Sequence, residues 1–124
     1  MKEKRPINLD LTTMHFPIPA IVSILHRITG VLLFLSIPFL LWGLHLSLRS
    51  EEDFNIFQEY LTNPIVKFFI WIIISAFIYH SIAGIRHLLM DIHIGDDLKT
   101  GRFLAAFTLG LSLIFSILIG IWLW

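Results

Sequence analysis

The chain has 124 residues, 56% of them hydrophobic, with a mean hydropathy of +0.82. Only 15% are charged, against about 25% in a soluble domain, and residues 28–48, 68–85 and 103–124 contain no Asp, Glu, Lys or Arg. A domain this small has too little interior to hide that much apolar surface, so a soluble globule, a disordered chain and a nucleic-acid binder are excluded, leaving a polytopic membrane protein. There is no cysteine, so the chain can supply no disulfide, thiolate nucleophile or Cys-ligated iron–sulfur cluster. Its 9 basic and 9 acidic residues balance, and net charge points to no polyanionic partner.

In chain order, the first 20 residues are polar and proline-containing, which predicts neither a cleavable signal nor a transit peptide. Three apolar runs follow, each matching a hydrocarbon core of roughly 30 Å when helical. Backbone groups in lipid must bond within their own segment, so each run is predicted to be a helix. The expected class is an all-α membrane protein with three transmembrane helices in one membrane-anchor domain over residues 1–124. The first helix is predicted from about 19 to 48, with proline admitted in its first turn and a local bend at Pro38. The second is predicted over 64–89 and the third over 102–124. Between the first two, Ser50-Glu51-Glu52-Asp53 reads as a capping start. Phe54, Phe57 and Leu61 then recur at helical spacing, which predicts a short helix on the outer membrane surface. Lys2, Lys4, Arg5 and Arg27 flank the start, and Arg86, Lys99 and Arg102 the second connection, against Arg49 and Lys67 in the first. The excess of basic residues predicts a cytoplasmic N-terminus, with Trp122 and Trp124 in the opposite interfacial belt.

Ionisable residues in or beside a span are functional hypotheses by default, and two groups stand out. Ser23, His26, Arg27 and Gly30 fall within about 100° of arc on the first helix. A hydroxyl, an imidazole and a guanidinium at the membrane edge could grip a quinone carbonyl or a carboxylate, the latter bidentately by arginine. Equally, Arg27 could snorkel to headgroups and Ser23 back-bond the helix. His80, Gly84, His87 and Asp91 fall within about 60° on the second helix. A neutral imidazole well inside a span is a good haem-iron ligand, and Gly84 would leave room for a flat group. The alternative is a histidine hydrogen-bonded to a neighbouring helix. Asp91 and Arg86 are expected at the water edge. By rise per residue His26 lies roughly 7 Å shallower than His80, and His45 near the outer end, so a second axial ligand is expected from another chain. Ser112, Ser116 and Gly120 form a small-residue row suited to close helix packing. His15, His45 and His93 read as surface or interface residues.

These residues carry a resemblance. Arg5-Pro6 with Asn8-Leu9, then Ser23-Ile24-Leu25-His26-Arg27 and Gly30, resemble the start of the cytochrome b subunit family of succinate dehydrogenase. Tyr79-His80, Gly84-Ile85-Arg86-His87 and Asp91 resemble its second helix. The two blocks, their spacing and the three-helix layout extend the resemblance along the whole chain, nearest to the proteobacterial form. The resemblance implies one of two membrane anchors of succinate:quinone oxidoreductase in a bacterial inner membrane. The implied partners are a second small anchor, an iron–sulfur subunit and a flavoprotein, which oxidises succinate and passes electrons to ubiquinone. It implies His80 as an axial ligand of haem b shared with the partner anchor, and Ser23 and Arg27 as quinone-site residues with Ile24 in the pocket wall. His26 and Arg27 would meet the haem propionates, with Gly84 and His87 beside the cofactor. The rivals are the anchor of a fumarate reductase and a purely structural anchor without haem. A channel or transporter is disfavoured by the absence of an inverted repeat.

Overall fold

The computed structural model describes residue 7 and residues 9–124. Lys2, Lys4 and the Arg5-Pro6 and Asn8 portions of the resemblance lie outside the described residues. Four helices occur in the order α1 (Ile18–Arg49), α2 (Glu51–Thr62), α3 (Pro64–Asp91) and α4 (Leu98–Leu123). Among the described residues there is no strand. Helices α1, α3 and α4 are each long and apolar enough to cross a membrane. At 1.5 Å per residue, α1 is about 48 Å long, more than a bilayer core needs, so it must tilt or protrude. It opens with Pro19 in its first turn, where a missing N–H removes no bond, and runs on through Pro38.

Each junction has a local chemical cause. Ser50 is extended, and its hydroxyl accepts from the Asp53 N–H at 3.0 Å, ending α1 and starting α2. The amphipathic α2 folds back on α1: Phe57 lies against Gly43, and the Tyr60 and Trp42 rings are 6.0 Å apart. The Asn63 side chain accepts from the Ile65 N–H at 2.9 Å, and Pro64 opens α3. After α3 the chain reverses through two left-handed residues, His93 (φ 63°) and Gly95 (φ 74°). The N–H groups of His93 and Ile94 donate back to the Met90 and Leu89 carbonyls. The Asp97 carboxylate accepts from the Thr100 N–H at 3.0 Å and starts α4 at Leu98, four residues before the expected start at Arg102. A charged Lys99 and Arg102 made the hydrophobic run look shorter than the helix; the cap decides the boundary. That backbone hydrogen bond from Thr100 holds the Asp97 carboxyl below the usual carboxylate range. The cap therefore persists at neutral pH and is lost only as pH falls through this lowered value.

A substituted Gly95 would be strained twice. Its φ favours glycine, and an added Cβ would collide with Leu104. Gly95→Ala is expected to destabilise the α3–α4 corner by about 1–2 kcal/mol, read as a lower thermal midpoint of the detergent-solubilised protein. His93→Gly, which relieves a left-handed side chain, should leave that midpoint unchanged or raised.

The interior is thin. Val22, Tyr79, Ala83 and Ala105 form its centre, with Leu25 and Leu109 packed around them. Large apolar residues such as Phe34, Phe39, Phe77 and Trp122 are mostly exposed, as expected where acyl chains or partner helices replace water. Buried hydroxyls stay within their own helices: Ser36 donates to the Leu33 carbonyl, Thr108 to Leu104 and Ser112 to Thr108. The small residues of α4 face α3. Gly101, Ala105, Thr108 and Ser112 are buried, and Trp71 Nε1 donates to the Ser116 carbonyl at 2.7 Å beside Gly120. The expected contact row thus begins about three turns earlier than Ser112, at Gly101.

Candidate functional site

Helices α1 and α3 meet along glycine. A Cβ at Gly30 would stand 3.1 Å from His80 Cε1, and one at Gly84 would stand 3.5 Å from His26 Nε2. Two glycines on facing helices let the imidazoles enter the interface between them. The His26 and His80 rings stack with centroids 4.0 Å apart and planes 11° apart, and the His87 ring is inclined at 60° to His26 with centroids 5.0 Å apart. The two rings are therefore closer than the expected offset in depth of roughly 7 Å, because each side chain reaches across the interface over the glycine of the facing helix. The space over Gly84 holds the His26 ring. Stacked rings present faces to each other, whereas nitrogen lone pairs lie in the ring planes. In this arrangement His26 and His80 cannot bind one metal between them, and among the described residues no three His, Asp or Glu gather as a metal-binding group.

The tautomer of His80 follows from its neighbours. Its Nδ1 lies 3.1 Å from the His26 carbonyl and 3.1 Å from Thr29 Oγ1. A carbonyl only accepts. The Thr29 hydroxyl already donates to the Leu25 and His26 carbonyls at 2.9 and 3.0 Å, so it too can accept. The tautomer with the proton on Nδ1 therefore suits both oxygens, and it leaves the Nε2 lone pair able to take a metal. The expected residue set lacked Thr29. A polar residue three positions after His26 inside a span was the available signal.

The Ser23–Gly30 group does not act as one face. His26 and Gly30 turn into the α1–α3 interface. Ser23 is half-buried, and Ile24 and Arg27 point outward. Ile28, Val31, Leu32 and Leu35 continue from Arg27 as a shallow apolar groove of about 500 Å³. Among the described residues the Ser23 hydroxyl makes no hydrogen bond, whereas Thr29, Ser36, Ser81 and Ser112 all donate to backbone carbonyls. A hydroxyl left free at a helix start, beside an exposed guanidinium, is available to an outside oxygen. Tyr79, buried on α3, donates to the Val22 carbonyl at 2.7 Å. Tyr79 and His80 thus hang from two α1 carbonyls one turn apart, those of Val22 and His26.

Arg86 departs from expectation. It is 4% exposed and not at the water edge, because glycine at 101 lets the guanidinium tuck between α3 and α4. Its Nη2 donates weakly to the Gly101 carbonyl at 3.4 Å, and Nε has no partner. Asp91 is exposed, as are His15, His45 and His93, and His93 pairs with Asp96 at 3.1 Å.

Comparison with known proteins gives one consistent result. The pattern of the family described as succinate dehydrogenase/fumarate reductase transmembrane subunit matches residues 1–119. The chain is 44% identical to the succinate dehydrogenase cytochrome b556 subunit of Coxiella burnetii over 125 aligned positions, covering all of both chains. It is 34% identical to the subunit of that name from Rickettsia bellii over 116 positions, covering 94% of this chain and 90% of that one. It is also 42% identical to the cytochrome b560 subunit of Porphyra purpurea over 89 positions, covering 70% and 71%.

Proposed function

Because the chain belongs to the succinate dehydrogenase/fumarate reductase transmembrane subunit family, we propose that it anchors a succinate dehydrogenase in a bacterial inner membrane, holds haem b through His80, and forms part of the ubiquinone-reduction site. The observation that carries this reading is the engagement of His80 Nδ1 by the His26 carbonyl and Thr29, which leaves Nε2 free to ligate iron. Haem b, when bound, exchanges single electrons. His26, Gly84 and His87 lie close to one another beside His80, and Arg27 on the exposed flank of α1; these would be the chain's contacts to the group, His26 and Arg27 to its propionates, and a partner anchor subunit would supply a further ligand. An iron–sulfur subunit and a flavoprotein complete the assembly.

Quinone reduction consumes two electrons and two protons. The free Ser23 hydroxyl hydrogen-bonds a quinone oxygen and relays protons from water. Arg27 stays charged, so it stabilises negative charge growing on that oxygen and donates no proton. Ile24 supplies an apolar wall. All three lie toward the outer side of α1, so the pocket is closed by neighbouring subunits. With the N-terminus in the cytoplasm, this end of α1 draws its protons from the cytoplasmic side without a path across the membrane.

The purified complex should contain the flavoprotein and iron–sulfur subunits and give a b-type band in its reduced-minus-oxidised spectrum. A complex with haem supply intact and no such band would leave a purely structural anchor. Extraction of ubiquinone supports the succinate direction; menaquinone alone would favour fumarate reduction. Thr29→Val should weaken haem retention about 10-fold, the low end for losing an outer-shell partner, because the His26 carbonyl remains. Thr29→Ser should retain it. Haem retention during dilution in detergent reads both.

A further inference from the structure

We infer that Tyr79 is a positioning residue for quinone reduction: its hydroxyl, bonded to the Val22 carbonyl, fixes the turn of α1 that presents Ser23, Ile24 and Arg27. This rests on the quinone-site reading above. The hydroxyl donates at 2.7 Å, from a ring only 8% exposed, to the carbonyl of a residue that is fully buried. Val22 immediately precedes Ser23.

The start of α1 needs such a tie. Its N-cap, Pro17, makes no side-chain cap, and Pro17 and Pro19 bring no N–H to the first turn. No acidic residue sits there to complement the helix dipole. The uncapped N–H groups leave this end of α1 with fewer restraints than its middle. The Tyr79 hydroxyl adds a side-chain bond from another helix at Val22, one turn into α1 and one residue from the proposed quinone ligand. The Val22 carbonyl also serves the α1 ladder as acceptor for the His26 N–H, four residues on. One acceptor thus anchors both the Ser23 turn and the backbone of His26, whose own carbonyl receives His80 Nδ1. Without the hydroxyl, the ring still packs against Val22 and Ala83, but the turn gains freedom, and the Ser23 hydroxyl and Arg27 guanidinium lose their fixed separation. Misplacement of a binding group weakens substrate capture more than it alters the fold.

The test uses the assembled complex in membranes, a short-tailed ubiquinone as acceptor and a soluble dye as control. Tyr79→Phe is expected to raise the KM for the quinone about 3- to 10-fold, the range for losing one hydrogen bond, with a smaller change in kcat and unchanged dye reduction by succinate. In a Ser23→Ala background the same substitution should add less than about twofold, because residues acting through one another are not additive. An unchanged KM in Tyr79→Phe, a fully multiplicative effect with Ser23→Ala, or loss of assembly of Tyr79→Phe would each overturn the inference. If Ser23→Ala itself leaves quinone turnover normal, the site reading fails and this inference with it. If Ser23→Ala impairs turnover and Tyr79→Phe does not, only the inference fails.

Discussion

In the assembled complex, His80→Leu is expected to abolish the b-type absorption band while leaving the helices in place. Leucine is close to imidazole in volume and apolar, so the contact with Gly30 survives. The partners it strands are already served. The His26 carbonyl keeps the Thr29 hydroxyl, and Thr29 keeps the Leu25 carbonyl. No buried polar group is orphaned, so little stability is lost through hydrogen bonding. What disappears is the nitrogen proposed to hold the iron. Losing outer-shell partners lowers metal affinity by about 10- to 100-fold, and losing the ligand itself should exceed that, to about 100-fold or more in haem retention. His26→Ala, which removes the stacked ring without touching Nδ1, should keep the band. An unchanged spectrum and redox titration in His80→Leu would mean that another residue holds the iron.

Ser23→Ala and Arg27→Leu form the second large effect. Each should lower quinone reductase activity by about 10- to 100-fold, the scale of a lost hydrogen bond to a polar or developing charged atom. Succinate oxidation with a soluble dye should persist, because the role proposed for both residues lies at the quinone. Ser23→Ala removes a bond to the quinone oxygen and a proton relay, and should raise the quinone KM and lower kcat. Arg27→Leu removes charge at an exposed position and should raise the quinone KM as well. Normal quinone turnover in both would remove these residues from the site. An equal loss of dye reduction would show a failure of assembly instead.

Much of this was legible in the sequence because membrane insertion depends on local composition. Charge-free runs of about 20 residues must become helices in lipid, since each run has to satisfy its own backbone. Ser50 and Pro64 mark boundaries with side chains that act within three residues. His80 stood out because an ionisable group deep in an apolar run is expensive wherever it points. Two misreadings share one cause, which is that they depend on contacts between helices, whereas the early start of α4 is set by a local cap. Arg86 lies near the end of α3, where a guanidinium would ordinarily reach water, but Gly101 on α4 opens a berth for it. The His26–His80 stack depends on side-chain lean toward Gly30 and Gly84, which rise per residue does not describe. The start of α4 rests on an Asp97 cap in a turn whose geometry His93 and Gly95 set.

From the order of residues alone come three apolar helices, a short amphipathic fourth, and the residues for which haem and quinone roles are proposed. Local hydrogen bonding and the aversion of charge to hydrocarbon are enough for that. What each of those residues is free to do depends on how the helices pack. Packing of α1 on α3 sets His80 Nδ1 against two oxygens, turns His26 inward, and leaves Arg27 exposed and the Ser23 hydroxyl without a hydrogen bond among the described residues. A hydrogen bond across 57 positions, Tyr79 to Val22, cannot be read from periodicity, because it exists only once two helices lie side by side.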